Sequence, residues 1–246
     1  MDLIQAAAEH LAAARRAGTR GARIPEAYRP GDIPTALQIQ ARVTSLLDWP
    51  IGGWKASAPA GGKVMRAPIY ARDIRTGDRS PIKPVDGVAA IEPEIAFVLG
   101  RDLAGPAVTA NDVLRATEAV AAAVEVLDSR FADYRFTVPD VVADNASAGR
   151  YVIGAPVSPV GIDLRLVGVV LEHRGEVVAT ASGAAALGHP AAAVAWLARA
   201  LTAVGEGLRA GQVVLSGGLT AAVPLRAGDT LVASVDRLGS VELGCV

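Results

Sequence analysis

Three glutamates inside apolar, strand-like runs constrain the fold of this chain more than any other feature. Glu92 and Glu94 lie in the segment IEPEIAFV, and Glu125 follows three alanines and a valine in the segment AAAVEVLD. Side chains alternate between the two faces of a strand, so Glu92 and Glu94 point to the same side. A carboxylate in apolar surroundings is costly unless another group compensates its charge. The fold must therefore provide such compensation.

Two interpretations of these acids remain open from the residues alone. If the carboxylates converge, a divalent cation would neutralise them, and oxygen ligands suit Mg²⁺ or Mn²⁺ better than zinc. The chain would then be a metal-dependent enzyme. Alternatively, Glu92 and Glu94 are surface residues of an edge strand, a position that suits the intervening Pro93. The apolar residues before Glu125 and after Glu94 count against this second interpretation.

Composition limits the class of protein. The chain has 246 residues, of which 51% are hydrophobic and 20% charged, as in globular proteins that bury a substantial core. The net charge of −1 and the lack of a basic cluster predict no nucleic-acid binding. No apolar run reaches the roughly 18 residues of a membrane span, and no secretory signal is evident, so a cytoplasmic protein is expected. The single cysteine, Cys245, excludes an intramolecular disulfide and a cysteine-based metal cluster.

Hydrophobic periodicity predicts an α+β chain with an N-terminal helical segment, residues 1–50, and a β-rich core, residues 51–246, as one unit. Apolar residues at helical spacing predict helices over 2–16, 34–47, 110–119 and 190–205. Short apolar runs between Gly and Pro predict strands over 53–57, 89–99, 121–128, 150–153, 164–172, 176–181, 213–215 and 230–235. No internal repeat and no linker between independent domains is visible.

A lysine and two polar loops are further candidates for function. Lys55 follows Gly-Gly-Trp and would bind a carboxylate if it lay in a pocket, but the residues alone favour an ordinary strand-end lysine. The loops at 144–149 and 215–220 are rich in turn-forming residues. The first would present polar groups to an anionic substrate and the second would let its backbone approach a ligand closely, although plain turns are the favoured interpretation of both. The positions of the three histidines support no nucleophilic triad: His10, His173 and His189.

Four motifs in order resemble the hydratase/decarboxylase branch of the fumarylacetoacetate hydrolase superfamily. They are EPEIAFVL at 92–99, EVLDSR at 125–130, VADNAS at 142–147, and the terminal GD and LGSV at 228–229 and 238–241. The similarity runs from about residue 35 to the end of the chain. Members of this branch include 2-keto-4-pentenoate hydratase and 4-oxalocrotonate decarboxylase of aromatic meta-cleavage pathways.

The resemblance implies a fold, a metal and a set of site residues. The fold would be a mixed β-sandwich roll behind the N-terminal helical segment. Glu92, Glu94 and Glu125 would hold Mg²⁺ or Mn²⁺, on which the substrate's 2-oxo and carboxylate oxygens would chelate. Lys55 would bind or protonate the substrate, and Ser147 would be the second catalytic residue. The substrate-binding residues implied are Asp128, Arg130, Asp144, Gly217 and Thr220.

The function implied is that of a metal-dependent lyase on an unsaturated 2-oxo or 2-hydroxy acid. Hydration of the 2-keto-4-pentenoate type comes first, and decarboxylation of a 2-oxo-enedioate is the alternative. Because a Lewis-acid metal stabilises charge on the 2-oxo oxygen in both reactions, fold and metal do not decide between them. The segment RAPIY at 66–70 departs from the family pattern, which carries an acid near here as a candidate base in hydratases. Ile69 cannot replace that acid.

Two further alternatives are an acylpyruvate hydrolase and a non-catalytic partner subunit. The hydrolase ranks lower because hydrolysis in this superfamily usually uses a histidine-containing dyad, and the N-terminal half supplies only His10. The three retained glutamates count against the non-catalytic subunit. The resemblance also predicts a homo-oligomer, with a pathway enzyme as an alternative partner.

Overall fold

Helices dominate the first part of the chain and strands the rest. The structure is a computed structural model that describes residues 2–21, 23–57, 64–77, 80–83, 88–132 and 135–246. The helices are α1 (Leu3–Ala17), α2 (Ile33–Leu47), α3 (Ala110–Ala116), α4 (Val138–Ala143) and α5 (Pro190–Thr202). The strands are β1 (Ile51–Ser57), β2 (Met65–Tyr70), β3 (Ile74–Thr76), β4 (Ser80–Ile82), β5 (Val88–Leu99), β6 (Thr117–Leu127), β7 (Ala148–Ile153), β8 (Gly168–His173), β9 (Glu176–Ser182), β10 (Val213–Leu215), β11 (Val223–Arg226), β12 (Thr230–Val235) and β13 (Gly239–Cys245). No helix in this part of the chain is both long and apolar enough to cross a membrane.

Local signals in the sequence account for the helix boundaries. Helix α1 ends at Gly18, whose φ of 62° is the left-handed conformation that glycine adopts without strain. Helix α2 begins at Asp32, whose carboxylate accepts the N–H of Thr35 at 2.8 Å. Helix α5 begins at His189, whose Nδ1 accepts the N–H of Ala191 at 3.0 Å.

The structure differs from the predicted elements in several places. The helix predicted over 110–119 ends at Ala116, because Thr117 already belongs to β6. The strand predicted over 164–172 begins only at Gly168, because a turn in which the N–H of Arg165 donates to Asp163 precedes it. The elements that the apolar pattern missed are α4, β2, β3, β4, β11 and β13.

The larger sheet curls until its two edges nearly meet. Its strands lie in the order β2-β1-β10-β5-β6-β7-β3, with β11 also paired to β5. In a flat sheet the outer two strands would lie roughly 29 Å apart. Only Ala71–Asp73 separate β2 from β3, and such a connection reaches about 14 Å at most. Gly52 of β1 lies against this connection: a Cβ added to Gly52 would be only 2.9 Å from the Cα of Ala71. The sheet is therefore a roll with an inner and an outer face.

Strand β5, which carries Glu92 and Glu94, lies in the middle of this roll. It pairs with β6 on one side and with β10 and β11 on the other, so the edge-strand interpretation of the glutamates is wrong. Pro93 is tolerated because it lies in the gap between β10 and β11. There its carbonyl accepts the N–H of Leu219 at 2.9 Å, and no ladder partner requires its missing N–H.

Apolar clusters among the described residues hold the fold together, and three of them are large. The inner face of the roll is lined mostly by small and branched residues, including Ala96, Ala123, Ile153 and Leu215. The outer face packs against a second sheet of order β4-β13-β12-β8-β9 and against α3 and α5. Apolar side chains of α1, α2 and α4 pack together in the third cluster, which also contains Tyr70 at the end of β2. The small inner side chains leave room in the roll for polar groups.

Candidate metal centre

The three glutamates converge inside the roll. Glu92 of β5 lies directly opposite Glu125 of β6 in the ladder, and Glu94 follows on the same face two residues later. One candidate ligand oxygen from each residue lies within 4.8 Å of the others. Glu94 and Glu125 are fully buried, and Glu92 is partly exposed. The alternation that predicted one shared face for Glu92 and Glu94 is therefore confirmed.

Burial and mutual repulsion make these acids costly to ionise without a cation. Burial, with a smaller contribution from the charge of Glu125, raises the pKa of Glu92 to about 7, and the charge of Lys55 offsets part of the increase. Burial also raises the pKa of Glu94 well above its ordinary value, again with a contribution from Glu125. Positive charge placed among them would favour the ionised forms.

The free carboxylate oxygens fit a divalent cation. Oε2 of Glu94 accepts the backbone N–H of Gly217 at 2.7 Å, and Oε1 of Glu125 accepts from Lys55. The second oxygen of each, Oε1 of Glu94 and Oε2 of Glu125, is buried and has no partner among the described residues. Because buried carboxylate oxygens are rarely left unsatisfied, this pair together with Glu92 has the chemistry of an oxygen-only site for Mg²⁺ or Mn²⁺.

Lys55 lies inside the roll beside the glutamates. Its side chain is fully buried and forms an ion pair with Glu125. Its Nζ also donates to the carbonyl oxygen of Ala146 at 3.1 Å. The interpretation as an ordinary strand-end lysine is therefore wrong. An ammonium group has three N–H donors, and these two contacts leave one available among the described residues.

The turn that contacts Lys55 is not an ordinary one. Asn145, Ala146 and Ser147 have φ values of 53°, 51° and 58°, a left-handed conformation that is unfavourable for residues other than glycine. Three such residues in succession cost several kcal/mol by the rough figure of 1–3 kcal/mol each. This conformation directs the carbonyl of Ala146 toward Lys55. Strain of this kind clusters at functional sites.

The loop at 216–218 closes the other side of the cluster. Gly217 has a φ of 97°, which only glycine adopts readily, and its N–H is the donor to Glu94. A Cβ on Gly218 would lie 2.7 Å from Cδ of Glu92, closer than such atoms approach in proteins. The backbone therefore needs glycine at 218 for Glu92 to keep its position.

Three residues predicted to bind substrate are engaged with protein partners. Asp144 accepts the backbone N–H of Arg130 at 2.7 Å and pairs with Arg15 at 3.3 Å. Burial raises the pKa of Asp144, and Arg15 offsets part of the increase. Asp128 pairs with Arg20 at 2.8 Å and with Arg130 at 3.0 Å. This ionic network supports the loops next to the glutamates.

The remaining predicted residues lie at the turn and at the loop. Ser147 is buried, and its carbonyl accepts the N–H of Asp128 at 2.8 Å. Thr220 donates its hydroxyl to the carbonyl of Ala221 at 2.9 Å and is partly exposed. Two residues near the glutamates were not predicted as site residues: Gly218, although it lies in the candidate loop at 215–220, and Tyr151. Tyr151 lies opposite Glu125 on β7, and only the strand register reveals this position.

The comparison with protein families identifies the fold. The family model described as fumarylacetoacetate (FAA) hydrolase C-terminal matches residues 52–245. The chain belongs to the fumarylacetoacetate hydrolase family. The predicted fold, a mixed β-sandwich roll behind an N-terminal helical segment, is the fold of this family and is therefore confirmed.

Two curated members of the family are similar over the same length of this chain. A 2-keto-4-pentenoate hydratase from Paraburkholderia xenovorans (strain LB400) is 49% identical over 153 residues, which are 62% of this chain and 57% of the hydratase. A 4-oxalocrotonate decarboxylase from Pseudomonas sp. (strain CF600) is 47% identical over 153 residues, 62% of this chain and 58% of the decarboxylase. The matched region thus spans less than two thirds of either relative.

One solved structure of the family is similar over nearly the whole chain. The 4-oxalocrotonate decarboxylase from Pseudomonas putida G7, complexed with magnesium and adipate, has a TM-score of 0.90 and 31% sequence identity. The superposition covers 99% of this chain and 97% of that one.

Proposed function

We propose that this protein is a divalent-metal-dependent lyase that acts on an unsaturated 2-oxo or 2-hydroxy acid. The observation that carries the proposal is the convergence of three glutamates on one buried point, where two carboxylate oxygens have no partner among the residues that the structure describes. Relatives named hydratases and decarboxylases, and a similar structure complexed with magnesium, support the same reaction class.

Glu92, Glu94 and Glu125 would hold Mg²⁺ or Mn²⁺. A divalent ion there supplies a Lewis acid that stabilises negative charge on the substrate's 2-oxo oxygen. Lys55 holds Glu125 in place through its ion pair and keeps one N–H for the substrate or for proton transfer. The apolar inner wall of the roll excludes water from the carbon chain, which strengthens the polar contacts made there.

The remaining predicted roles follow from position. Ser147, at the strained turn, would shape the pocket next to Lys55, and Gly217 would fix Glu94 through its N–H. Asp128, Arg130 and Asp144 would act by holding the turn and its neighbouring loop, and Thr220 by closing the loop at 216–220.

Hydration is the first candidate reaction, and decarboxylation of a 2-oxo-enedioate is the second. The residue at position 69, an isoleucine, favours decarboxylation. It belongs to the apolar cluster that lines the inner face of the roll, two residues along β2 from the position that pairs with Lys55. A base that activates water would need a titratable side chain, and Ile69 provides none.

An ultraviolet assay on two substrates tests the reaction class. Metal-free protein is given 2-hydroxypenta-2,4-dienoate or 2-oxo-hex-3-enedioate, with and without Mg²⁺. Magnesium-dependent loss of dienoate absorbance without release of carbon dioxide supports hydration, whereas release of carbon dioxide from the enedioate supports decarboxylation. Turnover of neither substrate with Mg²⁺ present, or full activity after exhaustive EDTA treatment, contradicts the proposal.

The non-catalytic partner subunit is a separate alternative, and calorimetry distinguishes it. Such a subunit would bind neither Mg²⁺ nor oxalate in a metal-dependent way, whereas the lyase binds both. A homo-oligomer is part of the proposal, as is association with a pathway enzyme, and the mass measured by light scattering with and without that enzyme tests both.

A further inference from the structure

Tyr151 shares one row of the inner face with two of the glutamates. Glu92 pairs with Glu125 across β5 and β6, and Glu125 pairs with Tyr151 across β6 and β7. Residues that lie opposite one another in a ladder point to the same face of a sheet. Tyr151 is 1% exposed and belongs to the same inner cluster as Ala123 and Ile153. Its ring therefore forms part of the wall beside Glu125.

The phenol hydroxyl has no partner among the described residues. It is fully buried, and it neither donates to nor accepts from any of them. A buried hydroxyl without a hydrogen-bond partner destabilises the folded state, and phenylalanine would fill nearly the same volume without that cost. A tyrosine here is therefore unfavourable for folding alone, which points to a hydrogen-bond partner outside the polypeptide.

The surrounding groups indicate what that partner is. Three glutamates able to hold a cation lie on one side, and Lys55 has one N–H still available. Together with the Tyr151 hydroxyl, these groups would surround an oxyanion with positive charge and donors. The side chains on the same wall include short ones, such as those of Ala123 and Ala148.

We propose that the hydroxyl of Tyr151 donates a hydrogen bond to the carboxylate of the 2-oxo acid and fixes its orientation at the glutamate cluster. The proposal rests on the proposed function, because it requires the acid to bind at the metal. Tyr151 is then a substrate-binding residue that neither the motifs nor the network around Asp144 includes. Its hydroxyl distinguishes 2-oxo acids from ketones that lack the carboxylate.

Calorimetry with Mn²⁺ and oxalate, a stand-in for a 2-oxo acid, tests this role in the full chain. In Tyr151→Phe we expect oxalate to bind the Mn²⁺-loaded protein about 10-fold or more weakly, the usual effect of losing one bond to a charged group. The Kd of Mn²⁺ alone should stay within about 2-fold. The variant should be at least as thermally stable as the parent, because the lost hydroxyl was unpaired. Tyr28→Phe, in the N-terminal segment, is the matched control and should change neither Kd.

The possible outcomes separate the two proposals. If the parent protein with Mn²⁺ does not bind oxalate, the proposed function fails, and this inference fails with it. If the parent binds oxalate and Tyr151→Phe binds it equally well, only the role of Tyr151 is wrong. If the variant loses Mn²⁺ affinity by the same factor as oxalate affinity, Tyr151 supports Glu125 and does not contact the substrate, which also overturns the inference.

Discussion

Two backbone positions and one lysine determine where the oxygens of the three glutamates lie. Lys55 binds one oxygen of Glu125, and the N–H of Gly217 binds one oxygen of Glu94. Gly218 lets the carboxylate of Glu92 approach the loop backbone closely. Each of these three contacts can be removed separately by one substitution.

Gly218→Ala should weaken metal binding while the protein still folds. The added methyl would overlap Cδ of Glu92, and because that carboxylate is the end of a flexible side chain, it would move away from its position. The φ of Gly218 is not in the left-handed region, so alanine does not strain the backbone. We expect an about 10-fold weaker Kd for Mn²⁺ by calorimetry, as for other changes that disturb ligand orientation. Gly168→Ala, where a Cβ meets no atom within 4 Å, is the control. Unchanged affinity in both variants would contradict the role of Gly218.

At this scale the sequence predicts some contacts and misses others. The shared face of Glu92 and Glu94 follows from strand alternation alone. The contact between Lys55 and Glu125 does not, because their strands are separated by β10 and β5 in the sheet. It exists only because the sheet curls. Tyr151 was missed for a different reason: β6 and β7 are neighbours in the sheet, but the apolar pattern does not reveal the register that places Tyr151 opposite Glu125.

Among the elements, α4 has the clearest link to the site, because the strained turn at 145–147 follows it directly. The helix begins with a capping box in which Thr137 and Asp140 exchange hydrogen bonds. Asp140 also pairs with Arg29 at 2.7 Å, which ties α4 to the N-terminal segment. Burial raises the pKa of Asp140, but Arg29 and Thr137 outweigh this and hold the pKa below its ordinary value.

Asp140→Asn should destabilise the protein at neutral pH and much less in acid. The pKa of the carboxyl is lowered on folding, so its stabilising effect is present above the unfolded pKa of about 3.9 and is lost as pH falls through the folded pKa. We expect a loss of about 1–2 kcal/mol at pH 7, the usual size of a helix cap, from urea denaturation. The difference from the parent should shrink steadily below a pH of about 4. If Asp140→Asn lowers the free energy of unfolding by the same amount at pH 7 and below a pH of about 4, the charge of Asp140 contributes nothing.

The elements themselves were only partly predictable. Strands with continuous apolar runs, such as β10 and β12, were predicted with their observed limits. Strand β2 was missed because Arg66 and Pro68 interrupt its pattern, although Ala67 and Ile69 face the inside of the roll. Strand β13 alternates apolar residues with Gly, Ser and Glu, which resembles a loop when it is read without its partners.

For the whole molecule, the decisive feature is the closure of the roll by the short connection between β2 and β3. This connection brings β1 around to face β6, and it is the reason why a lysine and three acids from three separate strands meet. No periodicity in the sequence predicts such closure, because it depends on pairing between strands far apart in the chain. The family resemblance supplied that part of the prediction.

Metal binding should stabilise the folded chain as a whole. At a Mn²⁺ concentration of about 100 times Kd, a ligand that binds only the folded state adds about 2.7 kcal/mol. For a chain of this size that raises Tm by about 5–11 °C. EDTA should reverse the shift, and Glu94→Gln should abolish it, whereas Glu118→Gln, an exposed residue on β6, should retain it. An equal shift in the Glu94 variant would place the ion elsewhere.

The most direct test of the metal-dependent site is a calorimetric titration of oxalate into the metal-free protein, repeated after Mg²⁺ is added, for the parent and for Glu94→Gln. The parent should bind oxalate only with Mg²⁺ present, and Glu94→Gln should bind none under either condition while remaining folded. Oxalate binding of equal strength without metal, or in Glu94→Gln with Mg²⁺, would contradict a function based on a metal held by Glu92, Glu94 and Glu125.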